Sequence, residues 1–177
     1  MGATHLGAPQ GVFVPAHASV APMVNDLAVS LLRSHVEDIS SASMALARRL
    51  RPTYQRVPDE SLLASVRGTL LGVASFIENG DDAPIIRLVE GFIAARRESG
   101  FDVHDFAVMS HCYLPPVRQV FVTRAATPVE GLAAYDVVES VSLPLIERLL
   151  QTAVASTEGE QFLVPVYIRD VLVRLKA

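Results

Sequence analysis

Apolar residues recur at intervals of three and four along most of the chain, and the runs are cut by proline, glycine and aspartate where a helix would begin or end. A stripe with this period buries one face of a helix and leaves nothing to alternate across a sheet. The chain is therefore expected to be all-α, with five to six helices packed as a globin-like fold or a helical bundle.

From Val24 to about Arg51 the stripe is Leu32, Val36, Ile39, Ser43, Leu46 and Leu50. Pro52 and Pro58 bracket a connector, and Asp59 is the expected N-cap of a second helix that ends at Asn79-Gly80. Asp82 with Pro84 opens a third, whose C′ residue is Gly100. The fourth begins at Asp102, with Asp105 three residues on and Phe101 and Phe106 at the two places of a hydrophobic staple. Thr127-Pro128-Val129-Glu130 reads as a capping box with proline at the first helical position, opening a fifth helix to about Ala155. After Gly159 the pattern predicts a short helix from Pro165, although Phe162 to Ile168 would also suit a strand. Residues 1–22 carry three glycines and three prolines and read as a flexible leader to a single domain over 23–177.

A chain of 177 residues holds one domain with a full core. Half of it is apolar, with 19% charged against about 25% in an average globular protein, and the mean hydropathy is +0.34. That surplus of apolar surface predicts a homodimer. Net charge is −4, which gives the counterion-release term of nucleic-acid binding little to act on. Arg48, Arg49, Arg51 and Arg56 read as a basic helix end facing water, with an anion patch as the alternative. The single cysteine, Cys112, cannot form an internal disulfide. The N-terminus has no secretory pattern, the myristoylation motif fails at Leu6, and no run approaches about 20 unbroken apolar residues. A cytoplasmic protein without membrane or nucleic-acid partners is expected.

No phosphate-binding glycine loop, Gly-x-Ser-x-Gly elbow, Cys-x-x-Cys or His-Glu-x-x-His motif occurs, so no catalytic residue and no metal site is assigned. The candidate ligand-binding residues are His35, His104, His111, Cys112 and Tyr113. Pro115 and Pro116 follow the last three and would each remove an intrahelical hydrogen bond, kinking or restarting the helix. His104 and His111 stand about 10 Å apart by helical rise, too far for one metal on a straight helix. Ser61, Ser65, Gly68, Gly72 and Ser75 make a smooth face on the second helix, suited to close packing or, alternatively, to a small ligand.

Residues 24–125 resemble the RsbRD-type N-terminal sensory domain of the stressosome co-antagonists. The carrying segments are Val57-Pro58-Asp59-Glu60-Ser61-Leu62-Leu63-Ala64-Ser65-Val66-Arg67, then Arg97-Glu98-Ser99-Gly100-Phe101, followed by an acidic-capped helix containing Arg118. The resemblance implies a cofactor-free relative of the globin fold that dimerises through helices and passes a signal to an attached module. The chain departs from that pattern at Pro115-Pro116 and in carrying no output domain before Ala177, which leads us to expect a free-standing regulator acting through a signalling partner. The expected function is a non-enzymatic sensory or regulatory domain in bacterial signalling, acting through protein contacts. The alternative is a small-molecule or haem-binding sensor or carrier with His35, His104 or His111 as ligand.

Overall fold

The computed structural model describes residues 20–155, and every regular element among them is helical. In chain order these are α1 (Val20–Ser34), α2 (Val36–Leu50), a 3-10 turn (Pro52–Arg56), α3 (Asp59–Asn79), α4 (Ala83–Glu98), α5 (Val103–His111), α6 (Leu114–Arg124) and α7 (Pro128–Ala155). The all-α expectation holds. The expected leader residues 1–19 and the expected helix or strand after Gly159 lie outside the described residues.

The expected first helix is divided at His35, where the backbone turns to φ −119 and ψ 19. The ladder still passes through the division, with His35 N donating to Leu31 O at 3.1 Å and Ile39 N to His35 O at 3.0 Å. With α1 and α2 joined at this point, the described residues hold six helices. Helix α1 begins at Val20, inside the stretch expected to be leader, and its Pro22 stands in the first turn, where a missing N–H is no loss. Asp59 does not cap α3: Pro58 occupies the cap position without a side-chain bond, and the Asp59 carboxylate instead accepts Arg48 at 2.6 Å.

The other punctuation marks fall as read. Gly80 and Gly100 end α3 and α4 at φ 71 and 77, the left-handed region that glycine enters without strain. Asp102 and Asp105 exchange side-chain and backbone bonds in a full capping box. Phe101 and Phe106 are both buried beside it. Thr127 and Glu130 do the same for α7: Glu130 N donates to Thr127 Oγ1 at 3.2 Å, and Thr127 N to Glu130 Oε2 at 3.0 Å.

Helix α3 lies against α1, α2 and α4, while α7 crosses α1, α5 and α6. The core between these layers is built from Leu32, Ile39, Leu62, Leu70, Val73 and Val138, all fully buried. Leu31 also joins this core, and Val29 packs against it in part. By length and composition α3 could span a bilayer, although no run in the sequence is unbroken; its Leu62, Val66, Leu70 and Val73 stripe is buried in the core. The smooth face of α3 is taken up by α4. A Cβ on Gly72 would stand 3.0 Å from the Ile85 Cβ, and one on Gly68 2.7 Å from a Leu88 methyl, so close packing is the use the fold makes of it.

Candidate functional site

The polar centre of the molecule is a latch between the α2–α3 connector and the start of α5. Asp105 is 1% exposed. Its Oδ1 accepts Arg51 Nε at 2.7 Å and the Thr53 hydroxyl at 2.6 Å, and its Oδ2 accepts the Asp102 N–H at 3.1 Å. Arg51 reaches on to both Asp102 oxygens at 3.2 and 3.0 Å, and the Tyr54 hydroxyl donates to the Asp105 carbonyl at 2.7 Å. Burial alone would raise the Asp105 carboxyl, but the Thr53, Arg51 and Asp102 hydrogen bonds and the Arg51 charge outweigh it and hold the group below the usual carboxylate range. The Tyr54 ring meets Phe101 edge-on at 5.0 Å between centroids.

Arg48 makes the matching tie to α3. It donates to Val57 O at 2.8 Å and Tyr54 O at 3.3 Å as well as to Asp59. Two of the four arginines read as a solvent-facing basic end are thus committed to internal bonds. The segments that carry the family resemblance, from Val57 and up to Phe101, sit at these two ties. Nothing local in the sequence pairs Arg51 with Asp105, since 54 positions separate them.

The candidate ligand residues are dispersed. His35 sits at the α1–α2 junction with Nδ1 3.7 Å from Asp38, and its side chain is 23% exposed. His104 lies in the first turn of α5 with Nδ1 3.9 Å from Asp102. His111, Cys112 and Tyr113 stay together at the end of α5, all buried. His111 Nδ1 bonds the Ala107 carbonyl at 2.8 Å, while its Nε2 is buried without a hydrogen-bond partner. Burial depresses the imidazole against the opposing Ala107 bond, so it is neutral with Nδ1–H donating and the Nε2 lone pair free. Burial pushes the Cys112 thiol up to about 12 and raises the Tyr113 phenol as well. The Ser142 hydroxyl lies close enough to Tyr113 to offset part of that rise, yet falls short of a well-formed hydrogen bond. Neither Cys112 nor Tyr113 can ionise near neutrality to serve as nucleophile or base.

Pro115 and Pro116 restart the helix rather than bend it. The chain leaves α5 at His111, turns through Cys112 and Tyr113, and enters α6 with Tyr113 as N-cap and the prolines in the first turn. Their missing N–H groups belong to the set that a helix start leaves unpaired in any case.

Past this restart an open groove of about 830 Å³ runs between α6 and α7. Leu114, Pro115, Val122, Leu132 and Tyr135 give it an apolar floor, and Arg118, Asp136 and Glu139 stand along its sides. The Tyr135 hydroxyl donates to Glu139 Oε1 at 2.8 Å. Arg118 is exposed and makes no hydrogen bond or ion pair among the described residues, though its charge acts on the Tyr135 phenol. The groove owes its shape to Gly131: a Cβ there would stand 2.7 Å from the Phe121 carbonyl carbon and 2.9 Å from Val122 Cα, so α6 and α7 touch backbone to backbone at one end. Sequence reasoning passed over both the groove and Gly131, because a glycine in a first turn looks like any other helix glycine until its neighbour is known.

Among the described residues no group of three His, Cys, Asp or Glu side chains is placed to hold a metal ion. Comparison of the chain with protein-family models, with characterised proteins and with solved structures finds no match.

Proposed function

We propose that the chain is a non-enzymatic regulatory domain of bacterial signalling that acts through protein contacts, and that its contact surface is the α6–α7 groove. The observation that carries this reading is the composition of the groove: an apolar floor two helical turns long, flanked by an uncommitted arginine and two carboxylates. A partner helix laying apolar residues at every third or fourth position into such a groove gains burial from the floor and register from the charges. Arg118, the α6 residue of the family resemblance, points the same reading toward this surface. A cytoplasmic homodimer belongs to the proposal, since half of the chain is apolar and only 19% is charged, a surplus of apolar surface that assembly would cover.

The test is a photo-crosslinking amino acid at Gln119, an exposed groove residue, in the cell that makes the protein. A discrete cross-link to one signalling protein, abolished by Leu132→Arg, is the expected result. No cross-link under any growth or stress condition, with the protein folded, overturns the proposal.

One observation favours a second reading, a small-molecule or haem sensor: the unpartnered Nε2 of His111 is the kind of donor an iron takes. The packing does not fit a macrocycle. His111, Ala107 and Cys112 are fully buried and Tyr113 and Leu114 nearly so, and the groove that has the room carries no histidine. The visible spectrum of the purified protein decides between the two readings: a Soret band that disappears in His111→Ala favours the second.

A further inference from the structure

Arg118 shares its groove with two carboxylates, Asp136 and Glu139, and pairs with neither. Helices α6 and α7 are joined through residues 125–127 alone and so run antiparallel, and the approach of Gly131 to Phe121 and Val122 sets their register. Counting from that contact back along α6 and forward along α7 puts Arg118 level with Tyr135 and Asp136, and Pro115 level with Glu139. Arg118 is indeed close enough to Tyr135 for its charge to act on the phenol. The groove thus carries one cation on its α6 wall, an anion across the floor from it, and a second anion about one turn further along the α7 wall.

We infer that the segment this groove takes is an amphipathic helix with two basic residues, one turn apart, on one flank of its apolar stripe and an acidic residue on the other flank. The inference rests on the proposed reading of the groove as a contact surface and names the chemistry of its partner. Charge selects the occupant by exclusion. A helix basic on both flanks sets a base against Arg118, and one acidic on both flanks sets acids against Asp136 and Glu139, so only opposite flanks satisfy all three. Turning a helix end for end exchanges its flanks, and the same pattern therefore fixes the direction in which the partner lies. Length favours a helix over a small molecule. Val129 is 75% exposed and Leu132 37%, and their spacing of three places them on one face of α7, so the apolar strip runs on past the close crossing at Gly131. From Val129 to Glu139 it covers about 15 Å, close to three helical turns.

Three synthetic helical peptides test this on the full chain, with binding read by fluorescence anisotropy. They share one leucine stripe and differ only in their flanks: bipolar as inferred, basic on both sides, and acidic on both sides. The parent protein should hold the bipolar peptide about threefold to fivefold more tightly than the basic one, the effect of one exposed ion pair, and more tightly still than the acidic one. Arg118→Glu changes an exposed side chain, so circular dichroism should stay the same while the basic peptide becomes the tightest. Leu132→Arg should abolish binding of all three. Equal affinities in the parent overturn the inference, as does an order that Arg118→Glu leaves unchanged, and as does the failure of every peptide to bind. A dimer seen by light scattering to fall apart as a peptide binds would place a second copy in the groove, and overturns it too. A bipolar preference without any cellular cross-link at Gln119 would sink the signalling partner and leave the charge pattern standing; a cross-link with the peptides bound alike would do the reverse.

Discussion

Arg51 Nε donates to Asp105 Oδ1 at 2.7 Å, joining the connector after α2 to the first turn of α5. This ion pair differs from the others on the surface because its acid is 1% exposed and its guanidinium is about one-third exposed. An exposed pair contributes about 0–1 kcal/mol, whereas a buried carboxylate with three donors is costly to disturb.

Replacing Asp105 with Asn removes the charge that Arg51 and Thr53 address and turns an amide N–H toward the Asp102 N–H. We expect a loss of about 2–3 kcal/mol in urea unfolding at pH 7, from the stranded donors. The folded-state pKa lies below its usual value, so the stabilisation is fully present well above about pH 4 and is lost as pH falls through the folded value. Acid titration of stability should therefore be shallower in the variant than in the parent below about pH 4; parallel curves would show that Asp105 is not the group responsible.

Alanine at the helical glycines gives a graded series. Gly91 has nothing within 4 Å of an added Cβ, and its replacement should stabilise by about 0.5–1 kcal/mol through helix propensity. At Gly68 the neighbour is a Leu88 methyl that can swing aside, so the change should be near neutral. At Gly131 the neighbours are backbone atoms of Phe121 and Val122, and overpacking should cost about 2–3 kcal/mol and spread α6 from α7. Thermal melts of the three variants check the order; a stable Gly131→Ala protein contradicts the close crossing.

His111 predicts a second pH dependence, of a different origin. Its folded pKa is depressed by burial, so the unfolded chain binds the proton more readily. Stability is then full above the ordinary imidazole value of about 6.5 and falls as pH drops below it, levelling once the folded form also protonates. His111→Phe fills similar space without a titrating nitrogen and should flatten the slope between about pH 6.5 and 5, measured by chemical denaturation at each pH. A slope that survives the substitution assigns it elsewhere.

Pro115 and Pro116 occupy first-turn positions of α6, so alanine at both adds N–H groups where no intrahelical acceptor is due. Helical content by circular dichroism should stay unchanged. Stability should drop by about 1–2 kcal/mol, from the freer unfolded chain and the lost contacts of buried Pro116. A gain in helicity would mean that the prolines alone separate α5 from α6.

The sequence by itself determined the helices, their class and most of their ends. A cap or a C′ glycine is a local device: Asp102 finds Asp105, Thr127 finds Glu130, and Gly80 and Gly100 turn left-handed within a few residues of chain, whatever lies beyond. Where the local signal was ambiguous, as at Asp59 and His35, the reading slipped by a residue or missed the break. Only the tertiary structure decided that Arg51 meets Asp105, that α4 rather than a ligand covers the smooth face of α3, and that Gly131 lets α6 and α7 close on each other beside an open groove. Each of these is a contact between elements far apart in the chain. Helical periodicity states which face of an element seeks cover and is silent on what provides it.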